Sequence, residues 1–210
     1  MTGCRVNGIL KTIIVCADLL HALFQYRNSK GHAAVKGTPL ENFLNTVISD
    51  HDKTFYSYGR RHQECMIHII RYLAGAAETE KDRTWHTKMR NLLKQMDHER
   101  NQADGRILAK ERIAELTEEY DKILKLAEKE YEDAPPSDYY RKGYNLFKQL
   151  RDYKDSCLLF LSDPRVDFTN NRAETLNRKP KRHLVISGTF RGKESNKPDV
   201  PDNSKSAEYY

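Results

Sequence analysis

VNGILKTIIVCA, running from Val6 to Ala17, decides what kind of fold this chain can adopt. Asn7-Gly8 accepts the positive φ angles of a tight hairpin turn. The stretch after it, ILKTIIVCA, is rich in β-branched residues and reads as a buried strand. Only MTGCRV precedes the turn. A hairpin needs two strands, so the first is expected to be short or cut off.

Working outward, a second extended stretch follows around ALFQYRN, and Gly31, Gly37 and Pro39 mark loops. PLENFLNT has short helical character. TVIS reads as a brief apolar strand that ends directly at Asp50-His51-Asp52. From about residue 61 the pattern becomes helical. Met66, Ile69, Ile70 and Leu73 follow a spacing of three and four, as do Trp85, Met89, Leu92, Leu93 and Met96. Ile113, Leu116, Tyr120, Ile123, Leu124, Ala127 and Tyr131 continue the theme until Pro135-Pro136 breaks it. A further helix from Tyr139 to about Tyr153 carries Tyr140, Tyr144, Phe147 and Leu150 on one stripe. These stripes read as core, because amphipathic faces mostly serve packing. SCLLFL then leads into a turn at Ser162–Pro164.

Bulk composition narrows the function classes. The chain has 210 residues, 31% charged and 38% hydrophobic, with a formal net charge of +6. The positive excess favours a polyanionic partner, nucleic acid or an anionic surface. Cys4, Cys16, Cys65 and Cys157 are scattered without a C-x-x-C pair, which argues against a disulfide framework and for a reducing cytoplasm. No apolar run approaches the ~18 residues that a membrane span needs.

Candidate chemistry falls in three places. In FTNNRAETLNRKPKR (Phe168–Arg182), Glu174 is the only acid among Arg and Lys. Asn171-x-x-Glu174 fits a capping box, and Glu174 stands four residues before Arg178, a favourable helical ion-pair spacing. Local rules thus explain Glu174 without any chemistry, and the alternative is a metal-binding acid. Asp50 and Asp52 sit at a strand end, where open α/β sheets place their ligands. Mg²⁺ takes one or two carboxylates plus substrate phosphate, which Asp50 and Glu174 could supply. Cys65-x-x-His68 puts two ligand types on one helix face. Structural zinc needs four ligands and no second pair is evident, so a packed or hydrogen-bonded pair is the simpler reading. The run Arg178, Lys179, Lys181, Arg182, with Arg191 beyond it, suits phosphate contacts without base specificity, or a solvated face.

Several long strings resemble the catalytic region of insertion-sequence-66 family transposases. They are VNG followed by IIVCA; KGHAAVKGTPLENF with SDHDKTFYSYGRRHQECMIHIIRYL; and DPRVDFTNNRAETLNR with SGTFRG. They occur in the family's order and separation. The resemblance implies an α/β, ribonuclease-H-like core, incomplete at its first strand, with a large all-helical insertion. It implies the N-terminal part of that core over 1–60, the insertion over 61–162 and a C-terminal core segment over 163–191. A polar, Pro-containing disordered tail over 192–210 completes the division. It further implies an acid triad holding Mg²⁺ or Mn²⁺ for DNA strand cleavage and strand transfer. Asp50 is preferred over Asp52 as the second acid, Glu174 is the third, and Asn170 and Asn171 start the helix that aims it. Arg178 and Lys181 would face DNA. The implied partners are transposon ends and target DNA, with self-association possible and no membrane, in the bacterial cytoplasm and at the nucleoid when DNA is bound.

The chain also departs from the family pattern. The first catalytic Asp belongs just upstream of Cys4, yet nothing acidic precedes Asp18. Thr175 replaces an Arg, Asn177 replaces an apolar Leu, and Pro180 stands where the helix should continue. The Glu174 helix is therefore expected to be short or loosely packed. The resulting expectation is a truncated, inactive transposase remnant. The alternative is a non-catalytic nucleic-acid-binding or protein-interaction module that uses the helical region and the basic segment.

Overall fold

A computed structural model describes residues 1–137, 139 and 141–190 of the chain. It is a mixed α/β protein that divides into two compact units. Tyr140, Arg191 and the tail assigned to 192–210 lie outside the described residues.

The first unit comprises Met1–Asn45, Lys53–Arg60 and the described residues from Asn170 onward. Its sheet is antiparallel in the order β1 (Thr2–Val6), β2 (Ile9–Ala17), β3 (Ala22–Arg27). Asn7 at φ 49° and Gly8 at φ 80° build the tight turn that Asn-Gly predicts. β1 pairs with β2 from Val6↔Ile9 to Thr2↔Ile13. The β2–β3 turn is tied by Asp18, whose Oδ1 accepts the Leu20 and His21 N–H groups at 2.7 Å each. Those backbone donors, with the His21 ring, hold the Asp18 carboxyl down at about 2. Asp18 is thus spent on a turn.

A four-residue helix α1 (His32–Val35) follows, its carbonyls partly satisfied by the Arg27 guanidinium, which donates to Ala34 O and Lys36 O. PLENFLNT does not form the helix expected of it. Residues 39–42 make turns, with Gly37 N–H donating to the Glu41 carboxylate and Glu41 N–H to Thr38 O, and Phe43 and Leu44 left exposed. A stretch that short has no buried face to repay the cost of nucleating a helix.

The last described element, α7 (Asn171–Ser187), packs against β2 and β1. It continues through Pro180, so the expectation of a short helix is corrected. Proline removes one backbone donor, and packing along the sheet outweighs that loss. Beyond α7 the chain returns to the sheet edge. Phe190 N–H donates to Arg5 O and Phe190 O accepts from Asn7 N–H, both at 2.8 Å.

The second unit comprises Thr46–Asp52 and Arg61–Thr169. β4 (Thr46–Ser49) pairs in parallel with β5 (Arg61–Glu64), from Thr46↔Arg61 to Ser49↔Glu64. The helices are α2 (Met66–Thr79), α3 (Trp85–Gln102), α4 (Lys110–Asp133), α5 (Lys142–Asp152) and α6 (Lys154–Ser162). The apolar stripes form one core: Met66, Leu73, Trp85, Met89, Leu93, Leu116, Tyr120, Leu150 and Phe160 are all essentially inaccessible. None of the described helices is long and apolar enough to cross a membrane.

β5 corrects the expectation that helical structure begins near residue 61. RHQE contains no apolar residue, yet His62, Gln63 and Glu64 are buried. Each polar side chain has found a partner. Gln63 Nε2 donates to Glu64 O and Cys157 O, and its Oε1 accepts the Phe160 N–H at 2.8 Å. Such pairing removes most of the cost of burying an amide.

Candidate functional site

The site of the second unit grows from strand register. Ser49 pairs with Glu64, so Asp50 and Cys65 leave two parallel strands side by side at their C-terminal ends. Cys65 N–H donates to Ser49 O at 2.9 Å, extending the ladder by one step. The chain then turns into α2, and Met66 N–H is satisfied by Phe168 O at 3.0 Å. One turn on, His68 shares a helix face with Cys65.

These three side chains converge. His68 Nδ1 lies 3.1 Å from Asp50 Oδ1 and 3.3 Å from Cys65 Sγ. Their ligand atoms all fall within 4.8 Å of one another. Asp50 is half exposed, His68 mostly covered and Cys65 buried. The carboxylate therefore faces solvent, with the imidazole and thiol behind it. Asp52 reaches the same loop, its N–H bonded to Asp50 O.

A second layer of polar groups supports the strand ends. Ser49 Oγ donates to Asp50 O at 2.8 Å and so accepts from His62 Nε2, also at 2.8 Å. This assigns the His62 proton to Nε2. Burial, reinforced by nearby His51, pulls the His62 pKa down to about 4, keeping the ring neutral at pH 7. His51 Nδ1 meets the buried Glu64 Oε1 at 2.7 Å, and its ring stands edge-on to Tyr153. On α2, partial desolvation of the otherwise exposed Tyr72 and then the charge of Asp50 raise its phenol. Sequence reasoning missed Ser49 and Glu64, and placed His62 only as a residue near the Cys65–His68 pair. The signal available was an acid immediately before the Cys-x-x-His pair.

In the first unit, α7 begins at Asn171, so Asn170 stands at the N-cap place and Glu174 N–H donates to Asn170 O at 3.1 Å. The capping box read as Asn171-x-x-Glu174 is one residue out of step with this start. Glu174 lies half-buried in the first turn, where the helix dipole favours an anion. Arg178, Lys181 and Arg182 are exposed, and their spacing of three and four puts them on one face. Lys179 also belongs to α7.

The model of the Transposase IS66 family matches residues 15–196, a span that contains Asp50, Cys65, His68 and Glu174. The chain belongs to that family. No curated protein and no solved structure matches it. For an IS66-family chain, the donor set can be tested against the divalent metal that the family implies. Asp50 offers a hard, solvent-facing oxygen, which suits Mg²⁺ or Mn²⁺. Cys65 is a soft, buried donor unsuited to Mg²⁺, so it fits a supporting role behind the carboxylate.

Proposed function

We propose that this chain acts in DNA transposition, with Asp50 and Glu174 as two metal-holding acids of a ribonuclease-H-like strand-cleavage and strand-transfer site. The observation that carries the reading is Asp50 at the end of a parallel strand, half exposed and held at 3.1 Å by His68 Nδ1. Carboxylates at the C-terminal ends of parallel strands are where such sheets bind ligands. A bound divalent ion would stabilise charge on the scissile phosphate and activate the attacking water or 3′-hydroxyl. The chain's own residues orient and hold. His68 fixes the Asp50 carboxylate, Cys65 fixes the His68 ring, and α7 presents Glu174 in its first turn. The exposed face of Arg178, Lys181 and Arg182 holds the phosphate backbone.

Residues 1–17 contain no Asp or Glu, and Asp18 ties a turn. With Asp50 and Glu174 as the two assigned acids and a two-metal site calling for more, the reading expects residues 1–210 to bind DNA without cutting it. The test is a nicking assay on plasmid DNA with Mg²⁺ or Mn²⁺, run beside DNA binding at increasing salt. Expected are binding that falls steeply with salt and no nicking above that of Asp50→Ala. Nicking that Asp50→Ala abolishes would show the 210 residues to be catalytically complete. An absence of DNA binding would remove the DNA reading altogether.

The same exposed basic face favours a second reading, in which the chain works as a non-catalytic nucleic-acid-binding module. Binding that survives Glu174→Ala but weakens in Arg178→Ala and Lys181→Ala, with no cleavage under any metal, is the result expected of it.

A further inference from the structure

In the second unit, α2 and α5 pack together and leave a cleft of about 470 Å³ beside the Asp50 loop. Its rim is formed by exposed Arg71 and Tyr72 from α2 and by Lys142 and Asn145 from α5. Its floor includes buried Ala76 and Leu146. Tyr72 is 50% exposed, and its ring centroid lies 6.2 Å from that of His68, which ties the cleft to the Asp50 site.

Two features point to a ligand. Gln149 lines the cleft, and its Nε2 is buried without a hydrogen-bond partner among the described residues. A buried amide donor without an acceptor has lost its hydrogen bond to water and gained none in return. A ligand acceptor met by a turn of the Gln149 amide toward the cleft would make good that loss. The second feature is Gly75, in the middle of α2. A Cβ built there meets nothing within 4 Å, so no close packing calls for glycine. Glycine is a poorer helix former than alanine, and its lack of a side chain leaves this stretch of the cleft wall bare.

Two cations, an exposed aromatic ring, two amides and a small apolar floor match the parts of a nucleotide. Phosphate suits Arg71 and Lys142, a base face suits the Tyr72 ring, and base-edge acceptors suit Gln149 and Asn145. The volume lies in the range of small-ligand pockets, about 300–1,000 Å³. A duplex is too wide to enter.

We propose that the α2–α5 cleft takes one unpaired nucleotide of a DNA strand whose phosphate backbone continues past Asp50. This rests on the reading of the chain as a DNA-binding transposase. It adds a strand-capture site within the helical region, separate from the basic face of α7.

The test is fluorescence anisotropy with a labelled blunt duplex and with the same duplex carrying a short unpaired tail. Wild-type residues 1–210 should bind the tailed DNA roughly tenfold more tightly, as expected for stacking of one base. Gly75→Leu, which fills the cleft, and Tyr72→Ala, which removes an exposed ring, should each erase that preference and leave blunt-duplex binding unchanged. Thermal unfolding of both variants checks that they fold. Equal binding of the two DNAs by the wild type overturns the proposal while leaving DNA binding intact. So does a tail preference that survives in Tyr72→Ala. Displacement of the tailed DNA by dAMP as readily as by unlabelled tailed strand would reassign the cleft to free nucleotides. No binding of either DNA would instead defeat the transposase reading on which the proposal stands.

Discussion

His68 Nδ1 stands 3.1 Å from Asp50 Oδ1, while Cys65 Sγ lies 3.3 Å from the same nitrogen. The spacing of Cys65 and His68 on one helix face, and the register that sets Asp50 beside Cys65, make this contact. A carboxylate held by an imidazole has fewer rotamers to lose when it takes up a metal ion. His68→Ala should therefore weaken Mn²⁺ binding by about 10–100-fold, the usual effect of losing a group that orients a ligand. Cys65→Ala, which only frees the ring, should have a smaller effect in the same direction. Titration calorimetry with Mn²⁺ reads both. Equal affinity in wild type and His68→Ala would show that the imidazole has no orienting role.

Gly143 and Gly75 make opposite predictions from the same substitution. A Cβ at Gly143 would stand 2.5 Å from the Glu80 carboxylate oxygens. Glu80 has little room to move, since its Oε2 accepts from His86 Nε2 at 2.9 Å and from Tyr131 OH at 2.7 Å. Gly143→Ala should lose about 1–3 kcal/mol of stability through overpacking, despite alanine's better helix propensity. At Gly75, open space means that Gly75→Ala should be neutral or gain up to ~1 kcal/mol. Urea unfolding of the two variants compares them directly. A Gly143→Ala variant as stable as Gly75→Ala would mean that Glu80 is not confined.

The His62 ring makes stability depend on acid. Its folded pKa is about 4, below the ordinary 6.5, because burial disfavours the charged ring. Between those values the unfolded chain binds more protons than the folded one. The contribution is therefore complete above about pH 6.5 and is lost as pH falls toward 4. The loss amounts to roughly 3 kcal/mol if the whole shift is realised. Burial also lowers the buried His86, which acts with the same sign. Replacing the ring by an uncharged amide, His62→Gln, should flatten the decline in midpoint temperature from pH 7 to 4.5. An unchanged slope would place the acid sensitivity elsewhere.

Pro180 sits in the interior of α7. Proline costs a helix interior ~3 kcal/mol relative to alanine. Pro180→Ala should stabilise the protein by about 1–3 kcal/mol and leave the salt dependence of DNA binding as it was, because no charge changes. Thermal melts beside binding isotherms at two salt concentrations check both halves. A destabilised variant would mean that the proline is needed for α7 to follow the sheet.

Much of this architecture is legible from local pattern. Asn7-Gly8 specifies its turn because few residue pairs tolerate two positive φ angles in succession. The stripes from Met66 to Leu150 specify buried helix faces because the 3.6-residue period leaves them no other common surface. TVIS ends at Asp50 as its apolar run predicts. Local pattern failed at RHQE and at PLENFLNT. It also failed at Pro180, where a breaker was overruled.

The failures share one physical cause. Whether a polar strand such as RHQE can be buried depends on partners about 100 residues away, Cys157 and Phe160 for Gln63, which no local window contains. Whether α7 survives its proline depends on packing against β2 and β1, elements at the other end of the chain. The sequence by itself determined the turns, the amphipathic faces and the residue types able to hold a metal ion, since each follows from a few neighbouring positions. Only the tertiary structure decided that Asp50, Cys65 and His68 meet and that a cleft lies open at Gly75. Those facts rest on strand register and helix packing, which long-range burial selects.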